Sequence, residues 1–304
     1  MSDSQHREHT GALLTALFVT VLWSSSWVLI RRGLDDEGLS PLLFAGLRYL
    51  LAAFVLILLV TASPRLRSEV RSIRGFRWLR LVVLGLVFVA VAQGAQFVAI
   101  DSQPAATSSL VLSLTPLLVA GASTVTLLER PSARQIGGAA LIVAGAVAYF
   151  SGQLGFTPIG LTASLVGLAA NAAAALIGRG VNRGRDLSPV VVTVVSMSAG
   201  AIALMVAGLA AEGAPTVSVR AWLIIVWLAV VNTAWAFTLW NRSLQLLSAT
   251  ESAAINNTML IQIGILAWLF LGETPGALDV VGMAAVSVGV YLAQRPRSET
   301  RATM

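Results

Sequence analysis

The sequence has little charge: only 11% of its 304 residues are Asp, Glu, Lys or Arg, whereas 57% are hydrophobic. Soluble domains carry roughly 25% charged residues, so this chain could not cover a water-facing surface with polar groups. A surface that faces lipid needs no such cover. With a mean hydropathy of +0.83, the composition predicts an integral membrane protein.

Other absences exclude particular chemistries. There is no cysteine, which rules out disulfides, thiolate metal sites and cysteine nucleophiles. The two histidines, His6 and His9, lie in a polar N-terminal tail, so we expect no histidine ligand, base or proton relay inside the membrane. No nucleotide-binding Gly-Lys-Ser/Thr loop, nucleophile elbow or His-Glu-x-x-His pair is present. The sequence therefore predicts a protein that is not an enzyme and binds no metal or cofactor.

What the chain does contain is a series of long apolar runs. A helix needs about 20 apolar residues to cross a bilayer, where it must satisfy its own backbone hydrogen bonds. Ten such runs are separated by short connections. They predict an all-α membrane protein of ten transmembrane helices, near residues 11–31, 41–61, 79–100, 104–128, 134–152, 157–179, 188–210, 219–241, 250–271 and 276–293.

Arginine supplies all twenty basic residues, and its distribution predicts the orientation of the chain. Basic residues accumulate in cytoplasmic loops. With the N-terminus in the cytoplasm, sixteen arginines fall on the cytoplasmic side and three outside, while Arg48 lies within a span. We therefore expect a multi-pass protein of the cell (inner) membrane with both termini cytoplasmic. Topology explains the net charge, so no nucleic-acid partner is predicted.

The two halves of the chain resemble each other. Residues 38–41 match 186–189 at an offset of 148, and from the third span through the fifth the offset is 144 without a gap. Each half holds five spans, so the second half must enter the membrane from the opposite side, which makes an inverted-topology repeat. The predicted units are an N-terminal tail at 1–10, five-helix repeats at 11–152 and 157–293, and a C-terminal tail at 294–304.

Short motifs follow one another in a characteristic order. They are Leu22 to Trp27 (LWSSSW), Pro41 followed by Leu47-Arg48-Tyr49, Leu114-Thr115-Pro116, Glu129-Arg130, and Leu271-Gly272-Glu273. Together they resemble the EamA-type transporters of the drug/metabolite transporter superfamily, although Ser24 and Leu128 stand where that family usually has Gly. The resemblance covers nearly the whole chain. It implies ten helices in an inverted repeat and the export of metabolites or drugs.

Arg48 is the most costly side chain to place in the membrane, at about 2.5–3.5 kcal/mol near the centre of a span. Its repeat counterpart is Ser196, so only one half carries the charge. Three interpretations are open. Arg48 attracts an anionic substrate, forms a gating pair with Asp101, or extends to the lipid headgroups without a transport role.

Other polar and aromatic residues within the spans are candidates for the wall of a substrate cavity. Amides bind a polar metabolite without the cost of a buried charge, and mid-span tryptophan offers a stacking surface. The predicted cavity consists of Trp23, Ser26, Arg48, Gln93, Gln96, Asn171, Asn232, Trp235 and Asn256. For each one the alternative is packing or hydrogen bonding between helices.

No carboxylate falls in the middle of a span. Glu251, at the start of the ninth span, is the candidate for proton coupling, whereas Glu129 and Glu273 lie beside prolines at helix ends and fit caps or ion pairs. The sequence favours a secondary transporter that exports small polar metabolites, such as amino acids, or drug-like solutes by alternating access.

Three alternatives to that function remain. A regulatory or assembly subunit without transport is one, although loops this short leave little surface for partners. The other two involve different chemistry. One is a translocator of a lipid-linked or phosphorylated metabolite, with Arg48 as its anion site. The other is a membrane-embedded lipid-modifying enzyme, which the scattered acids disfavour. The expected partners are a small-molecule substrate and the lipid bilayer, without an obligatory protein partner.

Overall fold

The computed structural model describes residues 3–35, 37, 39–103, 105–127, 131–150, 155–214, 216–271 and 276–294. In these residues all regular secondary structure is helical. The α-helices are α1 (Asp3–Asp35), α2 (Pro41–Ala62), α3 (Pro64–Ser72), α4 (Phe76–Gly85), α5 (Gly94–Ser102), α6 (Ala105–Leu112), α7 (Thr115–Thr126), α8 (Ala133–Phe150), α9 (Pro158–Asn182), α10 (Pro189–Glu212), α11 (Val219–Ala229), α12 (Ala236–Ser243), α13 (Ala249–Asn256), α14 (Thr258–Leu271) and α15 (Ala277–Gln294). Two π-helical segments, Leu86–Gln93 and Val230–Trp235, join α4 to α5 and α11 to α12.

These helices form the ten predicted spans. Six spans are single helices: α1, α2, α8, α9, α10 and α15. The third and eighth spans each continue through a π-helical segment, and the fourth and ninth are broken into α6–α7 and α13–α14. Five stretches of 22 to 25 residues have the length and apolar composition to cross a membrane. The predicted all-α, ten-span fold is therefore confirmed.

The two halves share their irregularities as well as their helices. The π-helical segments begin 144 residues apart, at Leu86 and Val230. The broken spans begin with α6 and α13, which match over all eight residues at the same offset, and α8 matches α15 from end to end. The offset found in the sequence thus holds in the backbone.

Four glycines, here called the glycine seam, join the last span of one half to the last span of the other. They are Gly138 and Gly145 of α8 and Gly282 and Gly289 of α15. Gly138 faces Gly289, and Gly145 faces Gly282. A Cβ atom on any of the four would lie 2.5 to 2.7 Å from the carbonyl oxygen of its partner, so only glycine permits this approach. The contact is reciprocal, as expected around a two-fold axis.

Carboxylates cap the paired helices α2 and α10 from opposite ends. The backbone N–H groups of Leu42 and Leu43 donate to the Glu212 carboxylate at 3.2 and 3.0 Å, and that of Ser188 donates to Glu69. Glu212 ends α10, and Glu69 lies in α3, which follows α2. The helix dipole favours negative charge at an N-terminus. The N-terminus of α2 is therefore capped by the last residue of α10, and that of α10 by a residue of α3, the helix that follows α2.

Candidate functional site

One backbone carbonyl in the second π-helical segment joins Trp23 to Arg48. Trp23 Nε1 donates to the carbonyl oxygen of Asn232 at 3.1 Å, and Arg48 Nη2 lies 3.5 Å from the same oxygen. A π-helical segment departs from the regular backbone hydrogen-bond pattern, and such segments are frequent at functional sites. Helices α1 and α2 therefore meet at Asn232, which brings three of the predicted cavity residues together.

Arg48 is buried, with only 5% of its surface exposed. Its Nε donates to Thr233 Oγ1 at 2.7 Å, and its guanidinium carbon lies 5.3 Å from the centre of the Tyr49 ring. A charged hydrogen bond and a cation–π contact offset part of the cost of burial. Within the described residues no carboxylate pairs with Arg48. Two of its five N–H donors are accounted for.

Two of the three interpretations of Arg48 can be judged from this position. Its burial excludes the interpretation in which it extends to the headgroups. The side chain of Asp101, the predicted gating partner, lies outside the part of the chain that the structure describes, as do Glu129 and Glu273. The interpretation that Arg48 attracts an anion agrees with a buried cation that has no counter-ion among the described residues.

A cluster of aromatic rings lies next to the arginine. Phe237 is at its centre, with ring centroids 5.1 Å from Trp23, 5.9 Å from Tyr49 and 5.3 Å from Phe88. Trp240 also contacts Trp23, at 5.1 Å. These tilted and edge-on arrangements are the favourable ones for aromatic pairs. The cluster joins rings from both halves of the chain and supplies an apolar wall beside the charge.

Four buried amide oxygens have no hydrogen-bond partner within the described chain, those of Gln103, Asn182, Asn232 and Asn256, and the last two belong to predicted cavity residues. The Asn232 side-chain nitrogen donates to the carbonyl oxygen of Leu22 and, at 3.3 Å, to Ser25 Oγ, but its Oδ1 accepts nothing. Asn256 Oδ1 is likewise unpartnered. Buried polar atoms are normally paired, and an unpaired acceptor costs roughly 1–3 kcal/mol. Both oxygens are therefore suited to accept hydrogen bonds from a bound solute.

A ladder of polar side chains connects α1 to α14. Ser24 donates to Gln262 Oε1 at 2.8 Å, Gln262 Nε2 donates to Thr20 at 3.0 Å, and Thr20 meets Thr258 at 3.1 Å. The sequence analysis did not select these residues. Gln262 could have been found, because it is an amide in an otherwise apolar run of the ninth span.

Several predicted cavity residues make only local contacts. Ser26 donates to the Trp23 carbonyl oxygen at 2.6 Å, and Asn171 donates to a carbonyl one turn earlier in its own helix at 2.8 Å. Gln93 and Gln96 are half-buried and make no side-chain hydrogen bond within the described residues. Their amides are thus available, but the structure does not join them to Arg48.

Trp235 lies apart from the site. It is 49% exposed, and its ring meets that of Phe18, itself 44% exposed, edge-on at 5.6 Å. This contact joins α1 to the second π-helical segment and involves none of the rings of the aromatic cluster. The position is that of a lipid-facing side chain, so the structure does not place Trp235 with the other predicted cavity residues.

Glu251 forms a contact that the sequence analysis missed. Helix α1 begins at Asp3, so His9 is helical, and its Nε2 lies 3.2 Å from Glu251 Oε1. The other carboxylate oxygen accepts the N–H of Ser248 at 2.8 Å, completing a capping box for α13. The hydrogen bond to Glu251 raises the pKa of His9, against the opposing effect of burial. His9, which the sequence placed in the N-terminal tail, therefore contacts the start of the ninth span.

Two inverted five-helix repeats, with a buried cation and unpaired amide oxygens held between them, are the architecture of a membrane transporter. The family can be stated as well. The chain belongs to the EamA-like transporter family, whose model matches residues 10–151 and again residues 159–294.

Curated relatives align over nearly the whole chain. Probable amino-acid metabolite efflux pumps of Salmonella typhimurium and Escherichia coli are each 26% identical, over 91% of this chain and 92% of theirs. A probable terminal-alkyne amino-acid exporter of Streptantibioticus cattleyicolor is 28% identical over 92% of both chains. A crystal structure that covers 93% of this chain and 98% of its own has the same fold, with a TM-score of 0.77 at 20% identity.

Proposed function

We propose that the protein exports an amino acid or a close amino-acid metabolite across the cell membrane, with both of its termini in the cytoplasm. Three relatives carry names of this kind, and the arginine distribution supports the orientation. In this proposal residues 11–152 and 157–293 are the two moving units, and the protein is a transporter and not an enzyme.

The observation that carries the proposal is the buried Arg48. A guanidinium binds a carboxylate through two parallel hydrogen bonds, and among the described residues none supplies that carboxylate. The α-carboxylate of an amino acid fits this place. A phosphorylated metabolite fits less well, because Arg48 is the single buried cation in the described chain and a phosphate group carries up to two charges.

The surroundings of Arg48 suit the remainder of an amino acid. The unpartnered Oδ1 atoms of Asn232 and Asn256 can accept hydrogen bonds from its ammonium group. The rings of Trp23 and Phe237 offer an apolar surface to its side chain. We include the half-buried amides of Gln93, Gln96 and Asn171 in the same cavity, since both halves must contribute to a site that opens to each side in turn.

Coupling to protons is assigned in this proposal to Glu251. Its carboxylate lies at the start of α13, next to the break in the ninth span, and contacts His9 of α1. A change of protonation at this pair alters the contact between α1 and the helix that carries Asn256. Because α13 carries Glu251 in its first turn and Asn256 at its end, a movement of α13 relative to α1 also moves Asn256 in the proposed cavity.

The experiment is transport by the purified protein in proteoliposomes, with labelled amino acids, their decarboxylated amines and their methyl esters. We expect saturable transport of amino acids and at least about tenfold lower transport of both analogues, since a charged hydrogen-bonded pair is lost. Arg48→Gln is expected to remove the preference for the carboxylate. Arg71→Gln, an exposed arginine of α3, is the matched control and should behave as the wild type.

Two outcomes would contradict the proposal. Equal transport of the amino acid and its amine by the wild type would remove Arg48 as a carboxylate site, independently of any variant. Transport of phosphorylated metabolites in preference to amino acids would replace the substrate class. The comparison of substrates on the wild type keeps the test valid even if Arg48→Gln does not fold.

A further inference from the structure

A cavity lies at the surface of the bundle, at the end where α1 begins. It has a volume of about 430 Å³ and lies between α1, the end of α12 and the turn after α9. Gly11 of α1 forms part of its wall, and a Cβ atom on Gly11 would meet nothing within 4 Å. The missing side chain therefore leaves open space on the cavity side of the helix.

The charged groups of this cavity are two arginines and one carboxylate. Arg185 Nη2 lies 3.7 Å from Glu8 Oε2, while Arg242 makes no ion pair within the described residues. Arg185 holds a φ of 53°, a left-handed conformation that a glycine adopts more easily, at the turn where it faces α1. The cavity thus keeps one unpaired positive charge beside polar groups that include the hydroxyl of Thr15.

Two apolar side chains lie beyond the cavity on the same two membrane spans. They are Phe18 and Trp235, whose rings contact each other. Both lie seven residues, or roughly 10 Å, along their helices from the cavity residues Gly11 and Arg242. Both are nearly half exposed. A ligand that fills the cavity and covers these two rings must therefore be anionic at one end and apolar at the other.

We propose that this cavity binds the headgroup of an anionic phospholipid, with its acyl chain along Phe18 and Trp235. Arg242 and Arg185 hold the phosphodiester group. Glu8 and Thr15 accept hydrogen bonds from headgroup hydroxyls, as a phosphatidylglycerol offers. The site is separate from Arg48, so it does not depend on the substrate. A soluble phosphate shares the headgroup chemistry but leaves the Phe18 and Trp235 rings uncovered.

The test is lipid binding to the full chain in neutral detergent, followed by native mass spectrometry. The probes are phosphatidylglycerol, phosphatidylcholine and glycerol 3-phosphate. We expect one phosphatidylglycerol per protein, bound at least about tenfold more tightly than either other probe. Arg242→Gln and Gly11→Leu should each weaken it by about tenfold, the first by removing charge and the second by filling the cavity. Arg71→Gln, on the same side of the membrane, should have no effect.

Three results would overturn the proposal. Equal losses for Arg71→Gln and Arg242→Gln would show diffuse attraction to a basic surface. Unchanged binding in Gly11→Leu would place the lipid elsewhere, since this variant retains every charge. Competition by glycerol 3-phosphate as effective as that by the intact lipid would identify a soluble phosphate as the ligand. Thermal melting of each variant, expected to match the wild type, verifies that the chain is folded.

Discussion

The same helix crossing occurs twice in the molecule with opposite chemistry. In one copy, α10 crosses the third span so closely that a Cβ atom on Gly85 would overlap the carbonyl group of Ser196, and one on Gly200 would overlap that of Gly85. In the other copy α2 crosses the eighth span, where Arg48 stands at the position of Ser196 and Thr233 at that of Val89.

The two crossings differ in how their helices are held together. At the first, the backbones pack directly against each other, and the hydroxyl of Ser196 donates within its own helix to the carbonyl oxygen of Val192 at 2.7 Å. The second has alanines, Ala52 and Ala229, where the first has glycines. These methyl groups keep the helices farther apart, which leaves room for a guanidinium. An inverted repeat can therefore place a binding group in one half and a fixed contact in the other.

The largest effect is expected when a side chain is added where α10 crosses the third span. Gly85→Val should destabilise the protein by more than about 3 kcal/mol, because the added atoms overlap backbone that cannot move away. Thermal melting in detergent, or the folded yield on size exclusion, measures this. Gly121→Val is the control, since a Cβ there meets nothing within 4 Å. Equal melting temperatures for the two variants would show that the crossing is not closely packed.

A smaller effect is expected when the crossing of α2 with the eighth span is given a residue of its counterpart, the crossing of α10 with the third span. Thr233→Val places at this position the residue that its counterpart, Val89, already has, and removes the acceptor of the Arg48 Nε–H group. Substrate affinity should fall about tenfold, with a smaller change in the maximal rate, because Arg48 is less well oriented. Thr233→Ser retains the hydroxyl and should restore affinity. A loss of rate at unchanged affinity would argue against this role.

The two helix caps provide a finer comparison. Glu212 accepts two backbone N–H groups of α2, whereas Glu69 accepts one at the start of α10. Glu212→Ala should therefore cost about 1–2 kcal/mol of stability, and Glu69→Ala about half as much. Chemical unfolding in mixed micelles measures both. A larger loss for Glu69→Ala would reverse the order that the hydrogen bonds give.

The smallest effect is a pH dependence of local stability, which we expect at the His9–Glu251 contact but not at the equivalent place in the other half. His9 and Glu251 have Thr157 and Thr107 as repeat counterparts, and these hydroxyls bond to backbone groups that do not titrate. Because Glu251 raises the pKa of His9, the contact stabilises the fold below the usual His pKa of 6.5. That contribution is lost as pH rises through the raised value.

Hydrogen exchange can detect this loss. The amides in the first turn of α13 should lose protection as pH rises through that range, after correction for intrinsic exchange, and those near Thr107 should not. His9→Gln should abolish the difference. Glu8 and Arg185, the charged pair nearest to His9 in sequence and space, are exposed, so Glu8→Gln should leave it in place. An equal pH dependence of exchange in the first turn of α13 and near Thr107 would contradict the conclusion that the His9–Glu251 contact causes it.

Much of the fold could be predicted from the sequence, because long apolar runs and the 144-residue offset each follow from local pattern. The π-helical segments could not. Leu86–Gln93 is almost entirely apolar, and the polar Asn232 and Thr233 of Val230–Trp235 do not by themselves indicate a π-helix instead of an α-helix. Helix α1 begins at Asp3, so the described residues of the predicted N-terminal tail are helical, a continuation that their polar composition does not indicate.

The site was predicted only in part, for a similar reason. Arg48, Trp23 and Asn232 are unusual residues in apolar spans, so the sequence identifies them individually. Their common acceptor is a backbone carbonyl, which no residue pattern reveals. Trp235 was grouped with them by residue type, yet its side chain is half exposed and contacts Phe18 instead of the aromatic cluster. Rare residues can be found from sequence, but the direction in which they face depends on packing.

The glycine seam has a consequence for motion. Its contacts are made between main chains, so α8 and α15 cannot slide by even part of a turn without driving one carbonyl group into the next residue of the partner helix. Separating them would expose backbone to lipid, where no partner replaces the lost packing. This pair is therefore the contact at which the two repeats stay joined. In the transport cycle proposed above, each repeat would turn about this contact and carry its own glycine-bearing helix with it.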